Sequence, residues 1–397
     1  MLEFQKYIIN DVNTKKVFES ILEYGPIMKK DIQGYTNLSW GGVYNSITKL
    51  LKSNSIIQFK ESQNKSPGRI PTFFDINYKE NLCVGVDVTL GRIIGVISYL
   101  NGKCIYSKTI LMESNLSKDM INGLMNMLND IFEFVDHPQY IKSIGLALPS
   151  STIQSWNKGQ LEHPFHGDFP KNLREIIKSK FGVMTEIFTD PDCLLASELN
   201  NMPIDDKKDD IMVLRWSYGI GLSMMIRGSI YHGSNSMAGE IGHTVVEPNG
   251  NICTCGKRGC LETYASVHAI ISRIKKEGHL KKHKGINNNE INTFSDVLEL
   301  YNENYQFIRE IINDALEKMA IILANAINIF DPSIVMISGE FSRIPNEKFE
   351  SFKGMIKEHM MIGSETEIFQ SILNDDAAAL GAALLMKDRI YYEIFNL

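Results

Sequence analysis

Apolar positions near the start of the chain recur at helical spacing. In NTKKVFESILEYG, Val17, Ile21, Leu22 and Tyr24 share one face, and Gly25-Pro26 ends the run. MKKDIQGYTN predicts a short second helix. In LSWGGVYNSITKLLKSN, Ser39 is placed as the N-cap, and Val43, Ile47, Leu50 and Leu51 repeat inward. Trp40, Tyr44, Asn45 and Lys49 fall on the opposite face. The period then changes to two in SIIQFKE and PTFFDIN, with the polar SQNKSPGR between them. Three helices and a two-stranded wing predict a winged helix-turn-helix over residues 1–78.

In that fold the third helix enters the DNA major groove. Ser39, Trp40, Tyr44, Asn45 and Lys49 are its candidate DNA contacts. Lys65, Gly68 and Arg69 form a basic finger in the wing, and an arginine beside Pro-Gly suits a narrow minor groove. A protein-interaction module using Trp40 and Tyr44 is the alternative. Gly41-Gly42 stands out, because each glycine costs ~1 kcal/mol against alanine inside a helix. Either the pair lets DNA come close or it is a tolerated flaw.

Beyond the head the pattern is α/β. LCVGVDVTLGRIIGVISYLNGKCIYSKTI reads as three strands with tight turns, and SIGLALPSS as another buried strand. TEIFTDPDCLLASELN is a strand running into a helix, and DDIMVLRWSYGIGLSMMIRGSIYHG a further strand pair. A long helix, FIREIINDALEKMAIILANAINIF, precedes the strand SIVMISGE, and DDAAALGAALLM closes the pattern with a small-residue helix. Strand triplets alternating with helices, twice over, predict two α/β lobes around a cleft.

Composition refines this picture. At 397 residues the chain is long enough for two or three domains. Apolar residues make up 44% and charged residues 22%, the globular range. No apolar run has the length a membrane span needs, and the polar start of the chain is unlike a signal peptide, so a cytoplasmic location is expected. Net charge is −6, but residues 1–75 carry ten Lys/Arg against seven Asp/Glu. A mildly basic head on an acidic body fits a nucleic-acid-binding module.

Three of the six cysteines lie within GNICTCGKRGCLE. A reducing compartment argues against a disulfide knot and for a metal or a reactive thiol. AGEIGH, followed by Cys-x-Cys-Gly-x-x-Gly-Cys-x-Glu, resembles the signature of the ROK family of sugar kinases and sugar-responsive repressors. The repressor branch, with xylose-type and N-acetylglucosamine-type members, carries a head like the one described. The resemblance implies an actin-like, ribonuclease H-like domain over 79–397. Its N-terminal lobe would span about 79–195 plus the C-terminal end, and its C-terminal lobe about 196–375. His243, Cys253, Cys255 and Cys260 match the metal positions. Four N/S donors suit a closed tetrahedral zinc with no place for water, hence a structural Zn2+. Cys83, Cys104 and Cys193 are expected in the core.

The resemblance also implies a sugar site at Glu240, His243 and Glu262, where carboxylates accept from sugar hydroxyls. His243 would give one ring nitrogen to the metal and turn the other toward the sugar. TDPDCLLASE aligns with the family's Asn-Asp-x-Asn segment, so Asp190 stands at the kinase-base position and Thr189 replaces an asparagine. HPFHGDF lies where the family has another sugar-touching element, with Phe165 in place of asparagine and His163, His166 and Asp168 as neighbours. Glu198 reads as a helix-face charge. The phosphate loops depart from the kinase pattern. Asp87-Val88-Thr89-Leu90-Gly91 lacks the paired glycines, Tyr218 stands where a small hydroxyl would meet phosphate, and Glu340 follows Gly339 in the adenosine loop. The expectation is a sugar-sensing repressor without kinase activity, a homodimer (or tetramer) on operator DNA. A sugar kinase is the alternative, and the sugar is left open.

Overall fold

The computed structural model describes residues 11–60, 71–114, 116–153, 169–203, 209–281, 291–303, 305–387 and 389–390. Three helices come first: α1 (Val12–Tyr24), α2 (Lys29–Thr36) and α3 (Trp40–Lys52). Strands β1 (Ile27–Met28), β2 (Ile56–Lys60) and β3 (Thr72–Ile76) make an antiparallel sheet in the order β1-β3-β2. This is the winged helix-turn-helix the periodicity predicts.

Side chains set the helix ends. Asp11 accepts the Thr14 N–H at 3.0 Å ahead of α1, and Ser39 accepts the Gly42 N–H at 3.2 Å ahead of α3. Val17, Phe18, Ile21, Ile32, Val43, Ile47 and Leu50 are buried. Burial of each such side chain is worth ~1.5–3 kcal/mol. Tyr24 departs from the expected inward face. As the last residue of α1 it lies past the edge of the core and stacks on Tyr35, ring centroids 4.2 Å apart. The wing residues Lys65, Gly68 and Arg69 lie outside the described residues.

The chain divides into two compact units. The first comprises Met1–Leu148, Phe165–Phe188 and Ala378–Leu397. After the head it contains β4 (Leu82–Thr89), β5 (Arg92–Tyr99), β6 (Cys104–Leu111), α4 (Ser117–Phe134), β7 (Ile141–Leu148), α5 (Leu173–Phe181) and β8 (Met184–Thr189). The sheet order is β6-β5-β4-β7-β8, with the first three strands antiparallel and β7 parallel to β4. Central β4 is buried along its whole length, hence its near-continuous apolar run. The head's apolar core continues without a break into Cys83, Leu100, Ala383 and Ile390.

The second unit comprises Pro149–Pro164 and Thr189–Ala377. Its elements are α6 (Asp190–Asn201), β9 (Ile211–Trp216), β10 (Ile220–Ile226), β11 (Ser229–Ile230), α7 (Glu262–Ala265), α8 (Val267–Lys281), α9 (Phe294–Asn302), α10 (Gln306–Phe330), β12 (Ile334–Ser338), α11 (Asn346–His359) and β13 (Glu367–Gln370). The sheet order β11-β10-β9-β12-β13 repeats the pattern of the first sheet. The closing helix α12 (Ala377–Leu385) begins at the end of this unit and packs on the first sheet. A Cβ on Gly145 of β7 would stand 2.0 Å from the Ala382 carbonyl oxygen, so glycine is what admits the helix there. Cys83 and Cys193 are buried as expected, whereas Cys104 is only half-buried. No helix among the described residues is long and apolar enough to cross a membrane.

Candidate ligand and metal site

After β11 the chain turns through Gly239 and a short 3-10 turn at Ile241–His243, then loops back as paired segments before α7. Gly256 and Gly259 take the left-handed backbone, φ +86° and +77°, that the double turn requires. A Cβ on Gly259 would stand 1.8 Å from the Glu247 carbonyl oxygen. This fold gathers His243, Cys253, Cys255 and Cys260, whose ligand atoms all lie within 4.8 Å of one another. Cys253 Sγ is 3.5 Å from His243 Nδ1, and Cys255 Sγ is 3.6 Å from Cys260 Sγ. Those separations are close to the ligand–ligand edges of a tetrahedral Zn–S/Zn–N centre with bonds of about 2.0–2.3 Å. Burial and the neighbouring thiols push the Cys260 thiol up to about 12. Thiols packed this closely resist ionising together, and a shared cation removes the obstacle. The donor set and spacing fit a metal ion.

The metal cluster adjoins a group of carboxylates in the same unit. With Nδ1 turned to the sulfurs, His243 presents Nε2 to Glu240 Oε2 at 3.7 Å. Glu262, the first residue of α7, accepts the Ile220 N–H through Oε2 at 3.0 Å. A Cβ on Gly242 would meet the Ile220 carbonyl oxygen at 2.5 Å, and one on Gly221 would meet Pro191 Cγ at 2.8 Å. The start of β10 is thus the hub. It borders the Glu240–His243 turn, Glu262 and the first turn of α6, which carries Asp190. Thr189, Asp190, Glu240, His243 and Glu262, the expected sugar residues among those described, border it. His163, Phe165, His166 and Asp168 lie outside the described residues.

Thr189 is the N-cap of α6, its hydroxyl accepting the Asp192 N–H at 3.4 Å. Asp190 is buried, and Arg215 Nε reaches its Oδ2 at 2.9 Å. Burial pushes the Asp190 carboxyl above the ordinary range, and the Arg215 guanidinium opposes that push. Sequence reading missed this arginine. Its signal was present: Arg215 is the one charged residue in the apolar strand IMVLRW. Asp192 was missed too; it takes the Ser223 hydroxyl on one oxygen and faces His232 Nδ1 at 3.5 Å on the other. Burial outweighs the half-buried Arg215, so the Asp190 carboxyl holds a proton more tightly than an exposed aspartate does.

Of the residues noted in the phosphate loops, Tyr218 is half-buried and Glu340 buried, both in the second unit, while residues 87–91 lie in the first. Trp216 is fully buried, donates Nε1–H to the Ala265 carbonyl at 2.7 Å, and stacks on Phe341 with ring centroids 3.8 Å apart. Gly339, at φ +88°, lies against the Trp216 backbone. Glu340 is buried and paired with Arg343 at 3.0 Å. Glu198 is not a surface charge. It is 2% exposed, with the Ser338 and Ser371 hydroxyls turned to it, and its Oε1 has no hydrogen-bond partner among the described residues. Burial pushes its carboxyl above the usual range, against those two hydroxyls. On the head, Trp40, Tyr44, Asn45 and Lys49 are exposed on α3, and Lys49 pairs with Asp11 at 2.6 Å.

A winged head and two α/β sheets of the same strand order, with a Cys3His cluster beside carboxylates, define a winged helix-turn-helix joined to an actin-like α/β fold. The chain belongs to the ROK family, whose model matches residues 83–389. It is 26% identical to the xylose repressor of Caldicellulosiruptor bescii over 97% of this chain and 98% of that one. It is 34% identical to the glucokinase of Thermotoga maritima, over only 46% of this chain and 59% of that one. In structure it is similar to a ROK family transcriptional regulator described as a homolog of E. coli MLC. The TM-score is 0.79 at 20% identity, covering 97% of this chain and 98% of the other.

Proposed function

We propose that the chain is a sugar-responsive, DNA-binding transcriptional repressor of carbohydrate-utilisation genes that lacks kinase activity. The observation that carries this reading is the winged head with an exposed recognition helix, continuous in core with the first α/β unit. The likeness to a xylose repressor runs through that head, whereas the likeness to a glucokinase covers less than half the chain.

In this reading α3 and the wing bind operator DNA through Ser39, Trp40, Tyr44, Asn45, Lys49, Lys65, Gly68 and Arg69. A homodimer in the cytoplasm presents two such heads to paired half-sites. Thr189, Asp190, Glu240, His243 and Glu262 bind the sugar. Zinc on His243, Cys253, Cys255 and Cys260 is structural; it fixes the His243 ring and so aims its other nitrogen at a sugar hydroxyl. Sugar binding favours a conformation with lower DNA affinity. Xylose is the first effector to test, because a full-length relative is a xylose repressor.

A sugar kinase is the competing reading, and calorimetry separates the two. Titration of the zinc-loaded protein with ATP and magnesium, with the effector sugar present, is expected to give no binding isotherm and no sugar phosphate. Saturable ATP binding with turnover would overturn the non-kinase assignment.

A further inference from the structure

The two glycines that open α3 are not equivalent. A Cβ on Gly42 would meet the capping Ser39 Oγ at 3.3 Å, so that glycine has a reason inside the chain. A Cβ on Gly41 would meet nothing within 4 Å. Alanine at 41 would fit and would favour the helix, since glycine is among the poorest helix formers. Open space alone decides little, because exposed Gly354 in α11 is equally open. What distinguishes Gly41 is its surroundings. Trp40 is 53% exposed and Tyr44 56%, unusual for large rings, and Lys29 Nζ stands over both, 5.2 Å and 4.4 Å from their centroids. Asn45 is exposed one turn beyond Gly41 on the same face. Residues 11–60 carry seven lysines against four acidic residues.

We infer that Gly41 is where duplex DNA comes up against the α3 backbone, and that its missing side chain lets the short Asn45 amide reach base edges. Lys29, held over the Trp40 and Tyr44 rings, gives the rim a positive charge that faces phosphate. A long side chain such as arginine reads a base from a distance; asparagine reads one only when the helix lies deep in the groove. The inference rests on the DNA-binding reading and adds to it the residue that sets the depth of docking.

The test uses the full-length zinc-loaded protein. The wild type first selects duplexes from a random-sequence library. The selected duplex is then titrated at one fixed salt concentration, because affinity depends on salt. Gly41→Ala is expected to bind it about tenfold or more weakly, about 1.4 kcal/mol, while melting no lower than the wild type. Gly354→Ala, the control helix glycine, is expected to bind normally. Gly41→Ala binding within about twofold of the wild type would overturn the inference while leaving the regulator reading intact. So would a lowered melting temperature, which would show that the chain itself needs the glycine. Failure of the wild type to select any duplex would overturn both.

Discussion

At the scale of single residues, the informative ones are charges set largely inside the second unit, Glu198 buried and Arg215 half-buried. Arg215 and Glu198 both lie inside the second unit, one paired to Asp190 and one held by two serine hydroxyls. Arg215 converts the aspartate at the kinase-base position into half of an ion pair, which no motif comparison reveals. Glu198 was misread because a glutamate on a helix is usually solvated, and burial depends on what the rest of the chain places over it. Its raised pKa has a sign that can be checked. The folded state holds the proton more tightly than the unfolded state does, so Glu198 costs nothing below the unfolded value near 4.5. Stability is then lost as pH rises from there through the folded value. Glu198→Gln keeps the shape, cannot ionise, and is expected to stabilise the protein by ~1 kcal/mol at neutral pH. Thermal melts from pH 4 to 8 should show the variant's advantage growing with pH; an advantage independent of pH would mean that Glu198 holds its proton equally tightly folded and unfolded, and would contradict the raised value.

Among elements, strongly periodic segments were legible and short or irregular ones were not. The three head helices and the wing strands stand where spacing puts them, because helix caps and apolar stripes are local properties. The two-residue strands β1 and β11 and the edge strand β13 carry too few residues for a pattern. The loop from Gly239 to Glu262 has almost no regular structure, yet its chemistry was legible. Three cysteines and a histidine close only around two glycines with positive φ, and the sequence displays both the donors and the glycines. The convergence of Asp190, Glu240 and Glu262 on the start of β10 was carried by family resemblance, since residues so far apart in the chain meet only through sheet topology. If a metal closes the loop, chelation at neutral pH should lower the melting temperature and weaken sugar binding together, both recovering on addition of zinc. Metal-free protein that melts and binds sugar as before would remove the metal from the account.

For the whole molecule, the head's apolar core runs into Cys83, Leu100, Ala383 and Ile390 of the first unit, so the head and the first sheet share one core. The residues proposed to bind sugar, Thr189, Asp190, Glu240, His243 and Glu262, belong to the second unit. A regulator built this way needs the sugar to discriminate between two conformations of the full protein, and the coupling must be reciprocal. The most direct measurement is fluorescence anisotropy of the full-length protein on its selected duplex, with and without each sugar that raises its melting temperature, beginning with xylose. The expected result is that the binding sugar weakens DNA affinity by about 5–150-fold, and that DNA weakens sugar affinity by the same factor. A sugar that binds this protein and leaves its affinity for DNA unchanged would contradict the account.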